Sequence, residues 1–143
     1  MPRIISEDGI AAIKRREGFA PKPKNDNGHL MWGYGHDQRP GERIPVSIDI
    51  VEADSLLKAD LATDYEPHVN QLAPWANQNQ FDALASFAYN LGVTALATML
   101  HHGAAAVPVQ ILAWHYEHKN RQLVSNDGIL ARRKDELAQY ERA

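Results

Sequence analysis

Between Glu17 and His36 the sequence EGFAPKPKNDNGHLMWGYGH gathers one glutamate, one aspartate, two histidines and a tryptophan among four glycines. These residue types admit three chemistries: a loop that cradles phosphate, a metal site, or a pair of carboxylates working across a cleft. The glycines at 28, 33 and 35 give G-x4-G-x-G. A phosphate loop would continue with Lys and Ser/Thr, where this chain has Tyr34 and Gly35. Position 38 is Gln38 and no strand–helix–strand unit surrounds the stretch, so the dinucleotide fingerprint fails as well.

A metal reading rests on His115 and His118, three apart in a helical pattern, and on His101-His102. Catalytic zinc wants a third protein ligand and an open position. Glu117 falls on a different face of such a helix and HExxH does not occur, so no metal and no other cofactor is expected.

The carboxylates fit a cleft better. Glu17 lies seven residues after Ile10, on the side of the apolar stripe made by Ile10 and Ile13, at the end of a helix that Gly18 stops. Burial and the negative end of the helix both disfavour its charged form, as a general acid near neutral pH requires. Asp26, nine residues on in the turn Asp26-Asn27-Gly28, should stay ionised. An acid and a second carboxylate across a groove are the minimum for glycoside hydrolysis.

The elements that must position these groups follow from spacing. Ser6, with Glu7 and Asp8 in the first turn, starts the first helix. Residues 19–45 are rich in Gly, Pro, Asn and Asp, and HLMWGYG and RIPVS read as strands of a small antiparallel ribbon. Ser47 is expected to cap a helix through Ile50, Ala53, Leu57 and Leu61, which Pro67 disturbs. Asn77 to Leu91 carries a strong helical stripe (Phe81, Leu84, Ala88, Leu91) closed by Gly92, and a short helix is expected over Ala95–Leu100. Pro108 opens another, running to about His118 through Ile111, Leu112 and Trp114. The last spans Gly128 to Glu141, with Ile129, Arg133, Leu137 and Tyr140 on one side.

The expected fold class is α+β and mostly helical, in one domain over residues 1–143: a β-containing lobe over about 15–50, a connecting helix over about 51–72, and a helical lobe over about 73–143 on which the first helix packs. The chain has no cysteine, which excludes disulfides and thiolate metal sites. Its start is charged from Arg3 onward and lacks the apolar run of a secretory signal, so synthesis in the cytoplasm is expected. The uncharged run Ala83–Leu100 approaches membrane-spanning length, but Ser86, Asn90, Thr94, Thr98 and the Gly92 break suit core helices. Formal net charge is −3, from 15 basic and 18 acidic residues. Basic and acidic residues number six and three over 1–24, three and ten over 25–107, and six and five over 108–143. No concentrated basic face results, so no nucleic-acid partner is expected.

Glu17-Gly18-Phe19, Gly28, Gly33-Tyr34-Gly35-His36, Gln80-Phe81-Asp82-Ala83-Leu84, Ser86-Phe87-Ala88-Tyr89-Asn90-Leu91-Gly92, and Gly128-Ile129 with Arg132-Arg133 and Glu136 together resemble the phage-type (T4-like) lysozyme family, in order and over nearly the whole chain. The resemblance implies a two-lobed lysozyme-like fold with a groove between the lobes. It also implies cleavage of the β-1,4 bond between N-acetylmuramic acid and N-acetylglucosamine in bacterial peptidoglycan, as phage endolysins do. Such a protein is made in the host cytoplasm, is released through a holin or another route, acts on the wall, and works as a monomer.

Position by position, the resemblance makes Glu17 the general acid and Asp26 the second carboxylate. Counting back from Gly-Tyr-Gly-His puts Asn25 there instead; an amide has no charge to activate water, which favours Asp26. Met31 stands where the family usually has a threonine, and a thioether cannot hold water as a hydroxyl does. That departure leaves a lytic transglycosylase dependent on Glu17, or an impaired wall binder, as alternatives to the hydrolase. Asn90 matches a cleft-lining amide, and Tyr34 and Met31 are candidate substrate contacts. His36 and Asp60 match a structural ion pair, Arg132 or Arg133 is expected near Glu17, and Trp32 belongs to the core.

Overall fold

The computed structural model describes residues 2–26, 28–119 and 122–142; Asn27 of the expected turn, and the side chains of residues 117–119 and 122–124, lie outside the described set. Helix α1 (Glu7–Glu17) begins at Ser6, whose hydroxyl accepts from Gly9 N, and ends at Gly18, φ +74°. Three antiparallel strands follow in the order β1 (Ala20–Asp26), β2 (His29–Gly33) and β3 (His36–Asp37). Asp26 pairs with His29 and Trp32 with His36, so the Gly33–Gly35 segment is the tight reversal between β2 and β3.

RIPVS is not a strand. Pro45 has no N–H to give a ladder, and the neighbouring Ile48 N makes a single bond to Pro21 O at 2.8 Å. The cap of α2 (Ile50–Asp60) is Asp49 rather than Ser47: its carboxylate accepts from Glu52 N, and Glu52 reaches back to Asp49 N in a capping box. Pro67 does not end this helix. A π turn, Leu61–Tyr65, widens the ladder ahead of it and α3 (Glu66–Leu72) continues, with the proline in the first turn where no donor is missed.

Helix α4 (Gln78–Leu91) is the centre of the molecule. Asn77 and Gln80 form its capping box, and Phe81, Ala83, Leu84, Ala85, Phe87 and Ala88 are all buried. The three alanines let α1, α3, α5 (Val93–Leu100) and α7 (Asp127–Tyr140) approach closely on several sides. Gly92, φ +96°, divides the uncharged run into α4 and α5. No single helix among the described residues is long and apolar enough to cross a membrane.

The expected helix from Pro108 to His118 is much shorter. A 3₁₀ turn (Ala104–Ala106), α6 (Val107–Gln110) and a second 3₁₀ turn (Ile111–Ala113) finish before the hairpin β4 (Tyr116–Lys119) and β5 (Gln122–Ser125). Val107 and Ile111 anchor this segment in the core. The β-branched and aromatic residues that follow are spent on strand pairing instead. His115 and His118 therefore do not share a helical face; His115 Nδ1 lies 3.0 Å from Ser125 Oγ, and the His118 side chain is outside the described set.

Two buried carboxylates tie down the start of the chain. Asp82 accepts from Ser6 N, from the Ser6 hydroxyl and from Gln78 Nε2, while Glu66 accepts from Ile5 N at 2.6 Å. This holds the entry to α1 against α3 and α4, and so fixes the direction in which Glu17 emerges at its far end.

Candidate active site

Glu17 is the last residue of α1 and opens into a groove of about 120 Å³ lined by Glu17, Asp26, Met31, Gly35, Asp37, Tyr89 and Asn90. Sheet, first helix and central helix thus each give part of one wall. Glu17 itself is 17 % exposed, and its Oε2 accepts from Arg132 Nη1 of α7 at 2.6 Å.

Gly35 makes the approach of sheet to helix possible. It has φ +82°, and a Cβ there would fall 2.5 Å from Glu17 Oε1. Any side chain would push the carboxylate off its partner, besides straining the left-handed backbone.

Adjacent strand residues point to opposite faces. Asp26 lines the groove, whereas the Asn25 side chain bends over the turn to accept from Gly28 N at 3.0 Å. Met31 lies on the groove wall with its thioether. Tyr34 does not. Its ring is buried 5.5 Å from Phe19 with the Lys14 ammonium over it, because the two flanking glycines let the backbone fold over rather than the ring fold out. The Tyr34 carbonyl accepts from Tyr89 Oη at 2.6 Å, and burial pushes the Tyr89 phenol above its ordinary pKa. Trp32 is buried in the core.

Asn90, one residue before the end of α4, lies exposed at the rim, with its side-chain oxygen accepting from Arg133 Nη2 at 2.7 Å. A guanidinium can only donate, so the atom facing it must be Oδ1 and the amide nitrogen is left for the groove. Arg133 pairs with Glu136 (Nε to Oε1, 2.7 Å), and both side chains are fully buried. Burial lowers the Arg133 guanidinium to about 10, with Glu136 opposing. Glu136 Oε2 accepts from Ser86 Oγ at 2.6 Å and lies 3.3 Å from Arg132 Nε; Arg16 Nη1 donates to Ser86 Oγ at 2.9 Å.

Beside the groove, His36 bridges Asp60 (Nδ1 to Oδ2, 2.6 Å) and Glu42 (Nε2 to Oε1, 2.8 Å), and Arg39 joins Asp60 to Asp64. Burial on its own would lower the His36 pKa, but the hydrogen bonds that its ring donates to Asp60 and Glu42 outweigh it and hold the pKa above its ordinary value. This cluster joins the sheet to the end of α2 and does not line the groove. Among the described residues no set of three or more His, Asp or Glu side chains is arranged to hold a metal ion.

Sequence reasoning missed Gly35, Asp37, Tyr89, Ser86 and Glu136 as parts of the site and its support. Ser86, Tyr89 and Glu136 stand inside the motifs that carry the resemblance, but only the docking of α7 on α4 joins Ser86 to Glu136, and only the packing of the sheet on α4 joins Tyr89 to Tyr34.

A family model described as phage lysozyme matches residues 14–136, which include every groove residue and the arginines behind them. An endolysin from Acyrthosiphon pisum secondary endosymbiont phage 1 is 30% identical over 149 aligned positions, covering 97% of this chain and 99% of the relative. Among solved structures, the muramidase domain of SpmX from Asticaccaulis excentricus superposes with a TM-score of 0.84 at 28% identity, covering 99% of each chain. An endolysin from Escherichia coli O157:H7 phage FAHEc1 gives 0.82 at 27% identity, covering 97% of this chain and 94% of that one. With a mostly helical fold, a small antiparallel sheet and this agreement along the chain, the protein belongs to the phage lysozyme family.

Proposed function

We propose that the protein is a peptidoglycan hydrolase that cleaves the β-1,4 bond between N-acetylmuramic acid and N-acetylglucosamine, in the manner of a phage endolysin. The observation that carries this reading is a single groove holding Glu17 and Asp26 in a chain of the phage lysozyme family. Glu17 gives its proton to the leaving glycosidic oxygen, and Asp26 takes one from the water that attacks the sugar from the opposite face. Arg132 stabilises the carboxylate that Glu17 becomes once the proton has left. Asn90 donates its amide to an N-acetyl carbonyl or a sugar hydroxyl. The chemistry proceeds without a metal or cofactor.

Met31 favours a second reading. No hydroxyl at this position holds the attacking water, so the muramic acid 6-hydroxyl is the competing nucleophile, as in a lytic transglycosylase. Mass spectrometry of digested peptidoglycan separates the two. Reducing ends identify the hydrolase, anhydro-sugar ends the transglycosylase, and absence of products a protein that only binds the wall. The proposed setting is synthesis in a host cytoplasm, release through a holin or another route, and action on the wall as a monomer, which suits diffusion within a mesh.

A further inference from the structure

Behind the groove, four charged side chains alternate in sign: Glu17, Arg132, Glu136 and Arg133, ending on the amide of Asn90. Only the two ends of this chain touch the groove. Arg132 is shared unequally, at 2.6 Å from Glu17 and 3.3 Å from Glu136. Isolated buried ion pairs seldom add net stability over apolar packing, so a fully buried arginine–glutamate pair directly behind a cleft calls for another explanation.

We propose that the Arg133–Glu136 pair is a positioning unit for the groove: Glu136 limits the hold of Arg132 on Glu17, and Arg133 fixes Asn90 with its amide nitrogen toward the sugar. The inference rests on the reading of Glu17 as the acid. With no second carboxylate behind it, the arginine would lie wholly against Glu17; Glu136 draws part of the guanidinium away. Glu17 faces Arg132 from α7, Tyr89 from α4, and Asp26 and Asp37 across the groove. Glu136 faces Arg132 and Arg133 on its own helix, Ser86 on α4 and Arg16 on α1, while Arg16 is itself bonded to Asp135. Removal of Glu136 therefore leaves Arg132, among the described residues, with Glu17 alone as its ion-pair partner. Removal of Arg133 has the reverse effect, since Glu136 then turns its charge on Arg132, and it also frees the Asn90 oxygen.

The test is a pH–rate profile on soluble, uncrosslinked peptidoglycan chains, with thermal unfolding followed in parallel. Glu17→Gln is the control: full activity in that variant removes the acid reading and this inference with it. Given an inactive control, Glu136→Gln should move the basic limb to lower pH by about one unit, the size produced by an opposite charge at close range. Arg133→Gln should move it to higher pH and raise KM about tenfold, for one lost hydrogen bond. Opposite shifts from the two halves of one pair are not a consequence of lost stability. Folded variants with unmoved limbs overturn the proposal while leaving the hydrolase reading intact. Asn90→Asp, at an exposed position, tests the other end regardless of how the buried variants fold. It keeps an acceptor for Arg133 but presents the groove with an acceptor in place of a donor, and KM should rise about tenfold; an unchanged KM overturns the proposed orientation.

Discussion

Glu17 and Arg132, 115 residues apart, meet at 2.6 Å where the end of the first helix faces the last. The contact joins the carboxylate expected to do the chemistry to a helix that has no part in the sheet. Glu17→Gln should keep the fold, because the amide oxygen still accepts from Arg132. It should abolish the loss of turbidity of permeabilised Gram-negative cells, a fall of at least about 10²-fold for removal of a general acid.

Asp26 and Asn25 point to opposite sides of β1. Asp26→Asn should reduce lysis by about 10²-fold or more, whereas Asn25→Asp should change it little. The reverse pattern in the same turbidity assay would place the second carboxylate's role one residue earlier.

Met31→Thr puts a hydroxyl on the groove wall. Muropeptide analysis should show faster turnover and a larger share of reducing ends than in the parent. A slower enzyme would mean that the water is held by groups arranged around the thioether.

Gly35→Ala should be far more damaging to activity than to folding. The new methyl must displace Glu17 Oε1 from 2.5 Å, and the positive φ adds about 1–2 kcal/mol of backbone strain. Lysis should fall by at least about 10² for a misplacement of this order, with the melting temperature only modestly lower. A fully active Gly35→Ala would show that the carboxylate has room to retreat.

The His36 cluster gives stability its own pH dependence. The folded pKa is held above the unfolded value of about 6.5 by Asp60 and Glu42 against the effect of burial. Its contribution is therefore complete below the unfolded pKa and is lost as pH rises through the folded one. The melting temperature should decline over that interval, and His36→Gln should start lower and flatten the decline. Glu42, whose own pKa is lowered despite burial by Arg39 N and His36, acts on the acid side, where its contribution is lost as pH falls.

What could be read from sequence was whatever a local signal determines. Ser6, Asn77, Gly18 and Gly92 bound their helices as their chemistry dictates, and the stripe Phe81, Leu84, Ala88 is the buried centre. Errors arose where neighbours decide. Ser47 had the right chemistry for a cap, but Asp49 had a glutamate three residues on to complete the box. Ile111 and Leu112 stay helical, but the residues after Trp114 fit a helix as well as a strand, and only pairing of Tyr116–Lys119 with Gln122–Ser125 settles them. Tyr34 alternates as a groove residue should, yet the glycines on either side let it turn inward. Of the site, Glu17, Asp26, Met31 and Asn90 were accessible from spacing and resemblance. The buried polar relay was not, because it exists only between helices far apart in sequence.

The order in which the ribosome makes these parts follows from the same relay. Glu17, the sheet and Asn90 are complete by residue 90, but Arg132, Arg133 and Glu136 arrive with the final helix. Until that helix docks, the carboxylate has no guanidinium beside it and the Asn90 amide has nothing to set its direction. A chain still being synthesised, or clipped before α7, carries the groove residues without the alignment on which the proposed site depends.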